Sequence, residues 1–199
     1  MCLTATTIAA GTAAGQGAAA ATEPAAAPAI DARRLEIRVG ELATVAGRAA
    51  PGSGAALQVR RQGRWDTLAR ARSAATGRFV LRARVRRATS VPARVRLADG
   101  AARSVGRLNV YRVAIASWYG PGLYGNRTGC GGRLWPGRLG VAHRTLPCGS
   151  LVTIRHRARV VRVPVIDRGP YVGGREFDLT AATARRLRFA GHGAILVAH

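Results

Sequence analysis

Val165-Ile166-Asp167-Arg168-Gly169-Pro170, followed shortly by Phe177-Asp178-Leu179-Thr180, is the stretch on which the fold turns. Arg159–Ile166 carries valines at alternate positions and ends in Asp-Arg-Gly-Pro, so it predicts a strand that runs into a turn. Thr180 is placed to cap a short helix, Ala181–Leu187, that stops before Gly191. Outward from there, Leu151–Arg155 predicts a partner strand across a tight turn near Arg157-Ala158. Ala194–Ala198 predicts a last apolar strand and Val113–Tyr119 a first one. Gly120–Gly140 between them is a long, glycine-rich loop. The pattern is that of a small, mainly β unit with one short helix.

Residues 33–112 have a different texture. Leu35, Ile37 and Val39 alternate with Glu36 and Arg38; Leu57 and Val59 alternate with Gln58 and Arg60. Phe79, Leu81, Ala83 and Val85 take one face of another strand, and Ala93, Val95 and Leu97 one face of a fourth. Gln62-Gly63, Thr76-Gly77 and Asp99-Gly100 mark the turns. Strands at this spacing predict a β-sandwich, and the pattern resembles bacterial immunoglobulin-like modules of exported proteins. Trp65 is expected in a core or hairpin, and no catalytic constellation is visible here. The boundary is expected near Val110–Val113, with residues 1–32 as a signal-peptide remnant and Ala/Pro linker.

The formal net charge is +23, and all 32 basic residues are arginine. Residues 33–112 hold 19 Arg against 4 acids, and residues 114–199 hold 13 Arg against 3. Arg82, Arg84 and Arg86 alternate with apolar residues, which is the solvent face of a sheet. Such a surface favours an anionic partner such as a cell-wall polymer, nucleic acid or a membrane surface. Zinc-finger spacing, a recognition-helix pattern and RNA-binding aromatics are all missing, so no specific nucleic-acid partner is expected. Residues 1–22 carry no charge and resemble the apolar core of a signal peptide with small-residue cleavage options near Ala18–Ala21. They are too weakly hydrophobic for a transmembrane span. The expected location is therefore extracellular or in the cell envelope. Cys130 and Cys148, each beside a glycine-rich turn, point in an exported domain to a disulfide, the alternative being two half-buried thiols. Neither Cys forms a C-x-x-C pair and His143, His156, His192 and His199 lack ligand spacing, so no metal and no cofactor is expected.

Five motifs in register resemble the rare lipoprotein A family: Ala116-Ser-Trp-Tyr-Gly120, Gly125-Asn-Arg-Thr128, Ala142-His-Arg-Thr-Leu-Pro147, Val165-Ile-Asp-Arg-Gly-Pro170 and Phe177-Asp-Leu-Thr180. The resemblance implies a six-stranded double-psi β-barrel over 113–199, export, and peptidoglycan glycan strands as ligand. In catalytic members it implies lytic transglycosylase activity; expansin-like relatives bind polysaccharide without cutting it. The chain departs from the catalytic pattern at one place. Where those members carry Glu and Asp, Cys130-Gly-Gly-Arg-Leu-Trp135 has Gly132 and Trp135.

Residues 114–199 contain three acids, Asp167, Glu176 and Asp178. A two-carboxylate hydrolase is poorly supported by that set. A lytic transglycosylase uses the muramyl 6-hydroxyl as its nucleophile, so one carboxyl group can serve as acid and then base. Asp167 is the candidate, with His143 assisting; Asp167 as a turn-holding residue stays equally open. Asp178 is expected as a turn or capping group and Glu176 as exposed or paired with Arg175. Trp118, Tyr119, Tyr124, Trp135 and Arg168 are candidates to line a sugar groove. Three functions remain: a lytic transglycosylase, an expansin-like wall-binding protein, and a secreted inhibitor or interaction module.

Overall fold

A computed structural model describes residues 28–199. The expected signal segment and most of the linker lie outside the described residues. Ala29–Arg34, the end of the expected linker and the start of the sandwich, forms a strand, β1. It is followed by β2 (Glu36–Arg38), β3 (Leu42–Arg48), β4 (Gly54–Arg61), β5 (Arg64–Arg72), β6 (Arg78–Arg84) and β7 (Thr89–Leu97). The eighth strand, β8 (Ala102–Tyr119), is 18 residues long. It runs unbroken through the position where a boundary was expected. Beyond it come β9 (Val141–His143), β10 (Leu151–His156), β11 (Arg159–Asp167), β12 (Phe177–Thr180), the helix α1 (Ala181–Leu187) and β13 (Gly193–Ala198).

In the N-terminal part, β1, β3 and β6 make one sheet, and β5, β4, β7, β8 and β2 another. The alternating apolar residues do what their period requires. Val45, Phe79 and Leu81 from the first sheet share a core with Leu57, Val59, Val95, Leu97, Leu108 and Val110 from the second. Val39 breaks the expected alternation. It lies just past β2, where the chain turns, and is 41% exposed.

The C-terminal part is a closed barrel. β12, β9, β11, β10, β13 and β8 pair in that order, and β12 pairs again with β8 to complete the ring. The parallel pairs are β11 with β9 and β12 with β8; the others are antiparallel. The interior is a second core, with Ala116, Val141, Ile154, Val165, Phe177, Leu179 and Val197. α1 lies against it through Ala184 and Leu187. The Thr180 hydroxyl caps α1 by accepting from the Thr183 amide at 3.2 Å, a contact of about 1 kcal/mol. Thr183 in turn donates to the Gly140 carbonyl at 2.9 Å and accepts the Gly140 amide at 3.0 Å. The helix is thereby pinned to the chain entering β9.

β8 serves both cores, and polar contacts tie the two parts where it crosses. Glu36 accepts from the Asn109 side-chain amide and, at 2.6 Å, from the Tyr111 hydroxyl. Ser90 and Thr153 share a hydrogen bond of 2.8 Å. Cys130 and Cys148 form the expected disulfide, with Cα atoms 5.5 Å apart.

Candidate functional site

The barrel opens on one side into a groove of about 340 Å³. Three strands and a loop deliver its polar groups. β11 ends in Asp167, β12 carries Asp178, β8 carries Tyr119, and the loop after β8 brings Asn126, Arg127 and Thr128. Gly169, Pro170, Tyr171 and Val172 line it as well.

Asp167 is held by backbone. Its Oδ1 accepts the Gly129 amide at 2.7 Å and the Arg168 amide at 2.8 Å. Gly129 is needed for this approach: a Cβ there would stand 2.8 Å from Arg168 Cγ. The Cys130 amide adds a 3.3 Å bond to the Ile166 carbonyl, so the loop is stitched to the end of β11.

Asp178 does not cap α1; Thr180 does. Asp178 stands in β12, opposite Ser117 of β8, and its Oδ1 accepts the Ser117 hydroxyl at 2.8 Å. Arg175 donates to that same hydroxyl at 2.8 Å. Burial pushes the Asp178 carboxyl above its ordinary value, and the Asp167 charge pushes the same way; Ser117 and Arg175 oppose them. The two carboxylates thus share a groove and differ in their hydrogen-bond partners. The Tyr119 phenol is raised by burial and by Asp167 beside it. Its hydroxyl is buried beside the Asp167 carboxylate and makes no hydrogen bond of good geometry among the described residues.

His143 lies elsewhere. In β9 it is Ala142, paired with Asp167, that faces the groove, while His143 faces the other way. Its Nδ1 accepts the amides of Thr145 and Leu146 at 3.1 and 3.0 Å. Its Nε2 is 3.5 Å from Glu176, and its ring packs on Phe177 at 4.8 Å. Burial lowers its pKa, opposed by Glu176. Glu176 pairs with Arg112 through both oxygens rather than with Arg175.

Of the expected sugar-binding residues, Tyr119 and Arg168 line the groove. The Arg168 guanidinium is directed inward, to the carbonyls of His143 and Leu146 at 3.1 and 2.8 Å and to the Cys148 sulfur at 2.9 Å. Trp118, Tyr124 and Trp135 stand outside it; Trp135 is 53% exposed with the Arg138 guanidinium over its ring at 5.1 Å. Tyr171 was missed although it follows Gly-Pro directly. It is 78% exposed on the groove rim, where a flat ring is open to a ligand. Gly132 sits at φ +74°, and a Cβ there would lie 3.2 Å from Arg138 Nη1. Arg138 thus stands where a longer side chain at 132 would begin. Among the described residues no three His, Cys, Asp or Glu side chains gather as a metal site.

The closed six-stranded barrel, with β11–β9 and β12–β8 parallel, has the architecture of a double-psi β-barrel. Residues 112–199 match a family described as lytic transglycolase. Over 98 residues the chain is 43% identical to a probable endolytic peptidoglycan transglycosylase RlpA of Synechocystis, covering 44% of this chain and 30% of that one. It is 43% identical over 87 residues to a probable endolytic peptidoglycan transglycosylase RlpA of Aquifex aeolicus, covering 43% and 38%. It is 41% identical over 81 residues to the endolytic peptidoglycan transglycosylase RlpA of Campylobacter jejuni, covering 40% and 30%. The chain spans about a third of the length of these relatives. Residues 112–199 are thus similar to the RlpA-like double-psi β-barrel proteins.

Proposed function

We propose that the barrel binds peptidoglycan glycan strands in the envelope and cleaves them as a lytic transglycosylase. The observation that carries this reading is the pair of unlike carboxyl groups in one groove. Asp178, whose carboxyl burial pushes above its ordinary value, is the group placed to donate a proton to the leaving glycosidic oxygen. As the bond from C1 to that oxygen breaks, the muramyl 6-hydroxyl attacks C1. Its proton passes to the carboxylate, and the product is a 1,6-anhydro sugar. No water is activated, so the missing Glu at 132 is not needed for a nucleophile. Asp167 faces the same groove and, held by two amides, places negative charge where the oxocarbenium-like centre forms. His143 serves this site from behind, holding the turn after β9 through the Thr145 and Leu146 amides.

Incubation with purified peptidoglycan tests the proposal: anhydromuramyl ends are expected, and reducing ends or no products contradict it. One observation favours the expansin-like alternative, namely Arg138 occupying the space beyond Gly132. That reading predicts retention on wall sacculi without released products. The two separate cores support a division near Arg112–Val113, with glycan binding carried by residues 113–199 and an immunoglobulin-like module before them. Export agrees with such a substrate, and no helix among the described residues is long and apolar enough to cross a membrane.

A further inference from the structure

The sheet of β5, β4 and β7 has an outer face that the barrel site does not use. Its inner face carries Leu57, Val59 and Val95 in the core. Alternation therefore turns Ala56, Gln58 and Arg60 outward. Cross-strand register places Arg70 and Arg96 on either side of Ala56, Thr67 and Arg94 on either side of Gln58, and Trp65 opposite Arg60. The short Ala56 side chain leaves a hollow of about 730 Å³ between the flanking arginines, lined also by Gln58 and Thr67.

This face is ordered and uncompensated. The Arg94 guanidinium stacks on Trp65 at 4.0 Å. Its Nε donates to Gln58 at 2.9 Å, and Gln58 donates onward to Thr67 at 3.2 Å. The two terminal nitrogens of Arg94 have no partner among the described residues, nor do the guanidinium groups of Arg70 and Arg96. The single acid on these three strands, Asp66, is opposite inward-facing Val59 and lies 3.9 Å from Arg61. Like charges held together without a counter-charge repel, and an anionic ligand relieves that repulsion. A tethered, stacked Arg loses little entropy when it forks onto an oxyanion.

We propose that this face binds a linear phosphodiester polymer of the polyol-phosphate kind. Arg94 and Arg96 are two residues apart on β7, about 7 Å, a separation suited to successive phosphates of an extended phosphodiester chain. Arg70 reaches the chain from across Ala56. A base-free polymer fits better than single-stranded nucleic acid. Trp65 is the aromatic residue on these strands, and Arg94 covers its ring, which removes the stacking platform that bases use. This binding is independent of any glycan chemistry in the barrel.

The test uses the full chain titrated with poly(glycerol phosphate) at fixed salt. Arg70→Gln combined with Arg96→Gln should weaken binding by about 10- to 100-fold, the effect of losing one or two charge-assisted contacts. Arg94→Lys, which keeps the charge and removes the fork, should also weaken it. Arg78→Gln combined with Arg82→Gln removes equal charge from β6 in the other sheet and should change binding by no more than about twofold, since distant exposed charges are screened. The proposal is overturned if both double variants weaken binding alike, if the first has no effect, if Arg94→Lys binds as wild type, or if an oligonucleotide of equal phosphate number binds as tightly. Thermal midpoints near wild type establish that each variant is folded, and anhydromuramyl release assayed in parallel reports on the barrel separately.

Discussion

Asp167 accepts the backbone amide of Gly129, 38 residues earlier in the chain, at 2.7 Å. The contact joins the end of β11 to the glycine-rich loop, so one carboxylate both borders the groove and shapes its wall. Any substitution at Asp167 therefore tests two roles, and the choice of substituent separates them.

Asp167→Asn keeps an oxygen for the Gly129 and Arg168 amides and removes the charge. Near-wild-type stability is expected, with glycan cleavage lowered at least about 100-fold if the charge acts in the transition state. Asp167→Ala loses both hydrogen bonds and should cost about 1–3 kcal/mol, read by denaturant unfolding. Full activity in Asp167→Asn would reduce Asp167 to a loop-holding residue.

Asp178→Asn should lower cleavage by about 100- to 10,000-fold, the usual worth of a general acid. Its stability effect has the opposite sign. A carboxyl whose folded pKa is raised binds its proton more tightly in the folded state, so its ionisation costs stability once the pH exceeds its unfolded value. Asn keeps the acceptor for Ser117 and removes that cost. The thermal midpoint at neutral pH should equal or exceed wild type while activity falls. A destabilised variant with activity in proportion to folded protein would make Asp178 structural.

Gly132→Glu restores a carboxylate to the loop and should not raise activity. The residue sits at φ +74°, where a side chain costs about 1–2 kcal/mol. The new side chain would begin with its Cβ 3.2 Å from Arg138 Nη1, and its carboxylate would pair with that guanidinium. That pairing competes with the Arg138 bonds to the carbonyls of Arg133 and Gly131. Lower stability and unchanged or lower product release are expected; a gain in product release would show that the loop can still present an acid to the groove.

Acidification should destabilise the barrel in two stages. The fold holds His143 neutral, because its Nδ1 accepts two amides and burial lowers its pKa against the pull of Glu176. His199 is lowered by burial as well. Stability from a lowered histidine is complete above its unfolded value, about 6.5, and is lost as pH falls toward the folded one. Glu176, held low by Arg112, adds stability that persists above the ordinary carboxylate range and is lost below it. Thermal midpoints across pH 4–8 should therefore begin to fall near pH 6.5 and fall again in the carboxylate range, and His143→Gln should shrink the first stage. A flat profile from pH 7 to 5.5 would contradict this account.

Much of this fold is local in origin, and that part was legible in the residues themselves. Valines of β11 at period two, Thr180 ahead of an alanine-rich turn of helix, and Asp-Arg-Gly-Pro as a stop depend only on near neighbours. The sequence alone therefore placed β10, β11, β13, the end of β8, α1 and the family motifs, and it pointed to a Cys130–Cys148 disulfide; it did not single out β1, β3, β9 or β12 as strands. It could not show that β8 runs on through both cores, because Val110–Val113 looks like a boundary until Glu36 arrives to accept from Asn109 and Tyr111. Nor could it assign faces. His143 and Ala142 are adjacent, and only the pairing of β9 with β11 decides that Ala142 faces Asp167. Asp178 looked like a cap because it precedes a helix by a few residues. The barrel closure of β12 onto β8 buries it beside Ser117, in the same groove as Asp167, and that burial raises its pKa. Charge state and facing direction depend on groups far apart in the chain, and only the tertiary structure brings those together.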